Sequence, residues 1–404
     1  MKKFLLIVAL ASLFVACEKE GELRTPAQLS ETLLDNRVSE IQALLIAEEY
    51  VSKHNQDTRS NERKVKSTEL YVAKPATRSA DDVEVSFYLV NYENNAGYAV
   101  VSTDNRTTPV YAFSDTGNIS ADDFDNNPGL SIFMEGAIGL YEQEVASARG
   151  IDAPFPIIIP NILYNTNDRV EIVEENGVYY YKGYAANDFR EISPMLTTLW
   201  NQGAPYNKYC DNGYAGCGPI AVAQIMAYHK YPADLLDWDR VTETSILLEV
   251  SIGADDLASL IKEIGVKAEA RYLSDGTYTY VPDLKTTFEE YGYNCHYSTG
   301  FSQSSVINNI EQQRPLLISG FNGTEGHAWV IDGYRRYASR VTYYYTTSPY
   351  NVYREYTNMH TFYAHCAWGL PLTDASTSNG FYLYNAFDYT QNTELITNIT
   401  PANL

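Results

Sequence analysis

Residues 212–232, NGYAGCGPIAVAQIMAYHKYP, decide how the chain is read. Pro219 suits the first turn of a helix, where its missing N–H goes unused. The run that follows, IAVAQIMAYHK, consists of good helix formers and stops at Pro232. Cys217 is therefore predicted at a helix N-terminus, where unpaired N–H groups and the macrodipole favour a thiolate. Gly213, Gly216 and Gly218 keep side chains away from the sulfur and leave room for a substrate carbonyl. A buried structural cysteine is the competing reading. His229 shares the helix but is twelve residues away, roughly 18 Å at about 1.5 Å per residue. A general base must lie within hydrogen-bond reach of its nucleophile. His229 is expected instead to be a polar or packing residue near the helix C-terminus, where an imidazolium is mildly favoured.

The base must come from elsewhere. His54 lies far upstream, His296 and His360 sit in tyrosine-rich runs, and His365 stands near Trp368. His327 differs: the glycine-rich stretch SGFNGTEG delivers it to the start of an apolar strand, Ala328 to Ile331. That setting allows it to meet a helix N-terminus across a cleft, although a structural histidine fits the same setting.

The 404-residue chain is long enough for two or three domains. Its net charge of −22 argues against nucleic acid as a partner. The opening MKKFLLIVALASLFVAC pairs two lysines with an apolar run too short for an ordinary membrane span. Ala16 before Cys17 resembles a bacterial lipobox, so residues 1–16 are expected to be a signal peptide and Cys17 a lipidated anchor. A plain signal peptide is the alternative. Cys210, Cys217, Cys295 and Cys366 form neither a disulfide framework nor a metal-type CxxC pair. A reversible Cys210–Cys217 disulfide is conceivable from their spacing. No metal and no cofactor is expected.

Residues 30–55 carry apolar positions at helical spacing. The polar stretch 56–82 is expected to be a flexible connector. An antiparallel meander follows over 83–115, and a helix over 129–150. Together, residues from about 22 to 150 form a small α+β unit. DAPFPIIIPN is broken by prolines, and EENGVYYYKGYAANDFREI suggests a hairpin and an exposed connector.

WNQGAPYN, GYAGCGPIAVAQIMAYHKYP, GHAWVIDGY and AWG…NGFYLYNAF occur in the order seen in streptopain-type cysteine peptidases, papain-like enzymes made as zymogens. The resemblance covers about residues 185–390. YLVNYENNAGYAVVSTDNRTTPVYAFSD also resembles that family's inhibitory propeptide. The resemblance implies an α+β chain with a small pro-domain within 17–185 and a peptidase domain at 186–404. In that domain the cysteine helix would pack on an antiparallel, β-barrel-like sheet. It implies Cys217 as nucleophile, His327 as base and then acid, Gln202 in the oxyanion hole and Trp368 beside the histidine. The stretch Ala367-Trp368-Gly369-Leu370-Pro371 departs from the family's Asn-Trp-Gly-Trp-Gly: Ala367 stands where the family has the asparagine before the tryptophan, and the second aromatic is lost too. His327 is then held less firmly, or by a backbone carbonyl.

The expected function is that of a lipid-anchored, exported cysteine endopeptidase acting on proteins or peptides, with its own pro-domain as inhibitor. Processing is expected between about 175 and 192. A papain-fold lipoprotein that binds peptides or partner proteins without cleaving them is the alternative. Acyl transfer to amines by the same Cys–His pair is a third reading. The loop LPLTDASTSNG is expected at the cleft rim.

Overall fold

A computed structural model describes residues 37–52, 63–73, 84–148, 171–175, 178–345, 356–369 and 379–402. The leader and Cys17, the proline-broken stretch 151–161 and the rim loop 370–378 lie outside these residues.

The first part of the chain runs α1 (Glu40–Ser52), β1 (Val65–Val72), β2 (Ser86–Tyr92), β3 (Tyr98–Ser102), β4 (Val110–Ser114), α2 (Ala121–Asn126) and α3 (Pro128–Ala148). The hairpin β5 (Glu171–Glu175) and β6 (Val178–Ile192) follows. Next come α4 (Cys217–His229), α5 (Trp238–Val241), α6 (Ala254–Lys267), the short hairpin β7 (Arg271–Leu273) and β8 (Gly276–Tyr278), and α7 (Val281–Glu290). The chain closes with β9 (Tyr293–Thr299), α8 (Gln303–Glu311), β10 (Leu316–Phe321), β11 (Gly326–Tyr345), β12 (Tyr356–Ala367), β13 (Gly380–Leu383) and β14 (Gln391–Pro401).

One antiparallel sheet runs through both parts, in the order β1-β2-β3-β4-β13-β12-β11-β10-β14-β9. The junction is β4 against β13, with Phe113 opposite Phe381 and Ala112 opposite Tyr382. Tyr98 and Tyr382 share a 2.7 Å hydroxyl hydrogen bond across it.

Two expected connectors are strands. β1 lies within the polar stretch 56–82 and pairs with β2. Its side chains are mostly exposed, as on an edge strand, so it lacks the apolar alternation that marks a half-buried strand. β6 forms the expected hairpin with β5, but it also pairs with Tyr334–Tyr345 of β11 instead of continuing as an exposed connector.

The central strands are buried on both faces, with alternate residues entering two cores. Trp329 and Ile331 of β11, Ile318 of β10 and Leu395 of β14 join a core that contains the buried residues of α1 to α3. Ala328, Val330, Leu317 and Ile396 join a second core around α4. Residues 218–227 of α4 are all buried, as expected for a helix that is apolar all round.

A single guanidinium ties three segments together. Arg335 of β11 is 1% exposed. It pairs with Asp115 after β4 at 2.5 Å and with Glu191 of β6 at 2.7 Å. It also lies over the rings of Phe113 and Phe381. Removing one partner of a buried pair leaves charge uncompensated. Asp115 is 27% exposed and Glu191 remains, which discounts the penalty. Asp115→Ala should therefore lower the stability of the full chain by about 2 kcal/mol, read as a shift in the urea midpoint at unchanged slope.

Candidate active site

Cys217 is the first residue of α4, after Gly216 at φ +95°. A Cβ at Gly216 would lie 2.8 Å from Thr277 Cγ2, and one at Gly218 would lie 2.9 Å from Leu284 Cδ1. These two glycines let the cysteine turn pack tightly on the β7–β8 hairpin and α7. That replaces the sequence-based reason, an open path for substrate, at both positions. Gly213 alone has open space around it.

The Cys217 thiol is half-buried. Burial pushes its pKa up. A hydrogen bond with His327, the charge of that ring and the backbone N–H groups of Ala328 and Gly218 outweigh burial, so the net direction is down.

His327, the second residue of β11, is buried and pairs across the ladder with Gly320. Its Nε2 is 2.8 Å from the carbonyl oxygen of Trp368. A carbonyl only accepts, so Nε2 carries the hydrogen and donates, leaving Nδ1 for the thiol. The ring stacks on Trp329, with centroids 6.1 Å apart and planes at 12°. Ala367 packs into the α4 core and offers no polar atom. The backbone carbonyl of the next residue thus orients the ring where a side-chain amide is absent. Trp368 N donates in turn to Asn379 Oδ1 at 3.0 Å.

Gln202 is half-buried, and its carbonyl accepts from Ala215 N at 3.0 Å, two residues before Cys217. Cys217, His327 and Trp368 are therefore brought together, with the Gln202 backbone tied to the cysteine turn. Among the described residues no group of three His, Cys, Asp or Glu side chains could hold a metal ion.

His229 lies at the other end of α4, against Tyr228 and Tyr293. Its pKa is lowered to about 4, with burial the leading cause. It is neutral, which corrects the expectation of a favoured imidazolium: burial outweighs the helix terminus. Cys210 is a free thiol, as is Cys217. Burial is the leading cause that raises the Cys210 pKa.

Several residues of this region were not singled out from sequence. The carboxylate of Asp332, fully buried, accepts from Leu196 N at 2.8 Å and pairs with His365 Nδ1 at 2.5 Å. Gln224 of α4 is buried and accepts from the Thr198 hydroxyl at 3.1 Å. Each is a lone polar residue in an apolar run, IAVAQIMA or AWVID, and that signal was available. Gly129, at the start of α3, lies on the histidine itself. A Cβ there would be 2.9 Å from Trp368 Cζ3 and 3.0 Å from His327 Cδ2.

Two family models match the chain. Residues 35–139 match a family described as Spi protease inhibitor. Residues 200–236 and 233–382 match the Peptidase C10 family. Streptopain of Streptococcus pyogenes is 20% identical over 318 residues, covering 64% of this chain and 74% of that protein. The thiol protease/hemagglutinin PrtT of Porphyromonas gingivalis is 19% identical over 302 residues, covering 64% of this chain and 32% of that protein. Among solved structures, a fragment of prointerpain A from Prevotella intermedia superposes with a TM-score of 0.50 at 19% identity. It spans 82% of this chain and 98% of that one. Residues 200–382 are thus a cysteine peptidase domain of the C10 type, preceded by an N-terminal propeptide of the Spi-inhibitor type.

Proposed function

We propose that Cys217 and His327 form the catalytic dyad of an endopeptidase that hydrolyses peptide bonds in proteins. The observation that carries this is the placement of His327 between the Cys217 thiol and the Trp368 carbonyl. The thiolate attacks the scissile carbonyl carbon, and His327 gives its proton to the leaving amine. His327 then takes a proton from water, whose oxygen cleaves the thioester. The Cys217 N–H and the side-chain amide of Gln202 donate to the oxyanion that forms, each worth about 3 kcal/mol in the transition state. The alanine at 367 does not favour a non-catalytic reading, because the Trp368 carbonyl takes over the orienting bond. Maturation by a cut between about 175 and 192 requires β6 to leave β11 first, since peptidases take exposed, unpaired chain.

Cys217→Ala should abolish casein hydrolysis, with His327→Ala at least about 1000-fold down. The thiolate is the reactive form, so the lowered Cys217 pKa puts its half-maximal iodoacetamide alkylation below the ordinary thiol value. Cys295, raised to about 11, stays unreactive there. In His327→Ala only burial and the backbone donors act on the sulfur, and the midpoint rises. Equal casein hydrolysis by wild type and Cys217→Ala would refute the dyad.

The pro-domain acts as the inhibitor of its own peptidase by resting the start of α3 on His327 and Trp368. Gly129→Leu overpacks that contact, at about 1–3 kcal/mol. The zymogen should then turn over a small peptide substrate roughly tenfold faster or more before any processing. Unchanged zymogen turnover would show that this contact does not mask the site.

The exported chain is anchored by lipid at Cys17, supported by the lysine–apolar–Ala-Cys leader. Cys17→Ser should move the protein from the membrane to the soluble fraction of a bacterial host. The same partitioning for both forms would exclude the anchor.

A further inference from the structure

We propose that Gln224 is a positioning residue that locks the cysteine helix to both the oxyanion segment and the turn that holds His327. The inference rests on the dyad reading above. Gln224 lies two helical turns after Cys217 on α4 and is 1% exposed. Its Oε1 accepts from the hydroxyl of Thr198, which opens the segment running to Trp200 and Gln202. Its Nε2 is buried with no partner.

That nitrogen faces the turn after Trp368. The point a Cβ on Gly369 would occupy is 3.8 Å from Gln224 Nε2, 3.7 Å from the Trp200 carbonyl oxygen and 3.1 Å from Ile220 Cγ2. Gly369 has φ +64°, a conformation that favours glycine. So one amide stands where three segments meet: the helix that starts at Cys217, the irregular segment that leads to Gln202, and the turn whose Trp368 carbonyl holds His327.

A buried donor without a partner costs stability, and an apolar residue of the same shape would remove that cost. Leucine or methionine would complete the apolar surface of α4 here. Glutamine instead fixes a distance through Thr198 and keeps a polar group against the backbone of the Trp368–Gly369 turn. Sliding α4 by a fraction of an ångström against that turn would lengthen the reach from Cys217 to His327, and misplacements of this size slow catalysis.

The test uses the full chain, processed by an added protease for the kinetic readouts, with Gln224→Glu, Gln224→Leu and Thr198→Val. Readouts are kcat and KM on a peptide substrate, the pH midpoint of Cys217 alkylation, and Tm. Gln224→Leu should lower kcat on the order of 10-fold or more at unchanged KM and move the alkylation midpoint upward, because His327 supports the thiolate less well. Gln224→Glu, which keeps an acceptor for Thr198, should retain more kcat than the leucine variant. Thr198→Val should fall between them, and it supplies the answer if Gln224→Leu does not fold. A variant set that loses only Tm, with kcat and the alkylation midpoint at wild-type values, would overturn the proposal and leave Gln224 structural. Because alkylation needs no peptide turnover, failure of the peptidase reading would leave this readout intact.

Discussion

The site depends on strand β11 being buried on both faces. Its alternation sends Trp329 and Ile331 into one core and Ala328 and Val330 into the other. Both cores are therefore built on the same backbone, and neither can shift without moving the strand. His327 stands at the mouth of this strand, before the first of those alternating residues. Its position is fixed by two packed cores at once, which glycine-rich loops around it would not achieve alone.

The same constraint explains how a chain lacking a polar side chain at 367 still orients His327. β12 lies beside β11 and also alternates: Ala367 enters the α4 core, while Trp368 enters the opposite one. With Trp368 locked by its ring against Trp329 and Tyr382 and by Asn379 through its N–H, its carbonyl has a set direction. A backbone acceptor held this way does for the imidazole what an amide would do. It carries no residue identity, so position 367 read alone looks like a loss. The alternatives open at the sequence level were a looser histidine or a carbonyl, and only the packing of Trp368 separates them.

Other parts were legible because their chemistry is local. Pro219 and the glycines around Cys217 mark a helix start, and helix rise alone excludes His229 as partner. The meander over 83–115 shows its turns. What escaped was set by distant pairing. β1 has no apolar alternation because its side chains are mostly exposed, and β6 beyond its hairpin looks like a linker because its partner on β11 is more than a hundred residues away. Gln224, Asp332 and Gly129 take their meaning from segments that meet only in the folded chain. The neutral state of His229 was misjudged for the same reason: a helix terminus is visible in sequence, and burial by Tyr293 is not.

Under the proposed dyad and propeptide contact, Trp368 unites catalysis and latency. Its carbonyl holds His327, and its ring is the surface on which Gly129 rests. A propeptide that lay only across the cleft would compete with substrate and be displaced by it. One that docks on the tryptophan presses instead on the residue that aims the base, and it does so from the face opposite the α4 core. The contact is extended by edge pairing of β4 with β13, whose Tyr382 packs on that tryptophan, and by the Arg335 cluster beside it. Release of the pro-domain then means opening a continuous sheet next to the tryptophan that holds the base. In that proposal latency is written into the strands that build the site, and a change at β13 reaches His327 through one ring and one carbonyl.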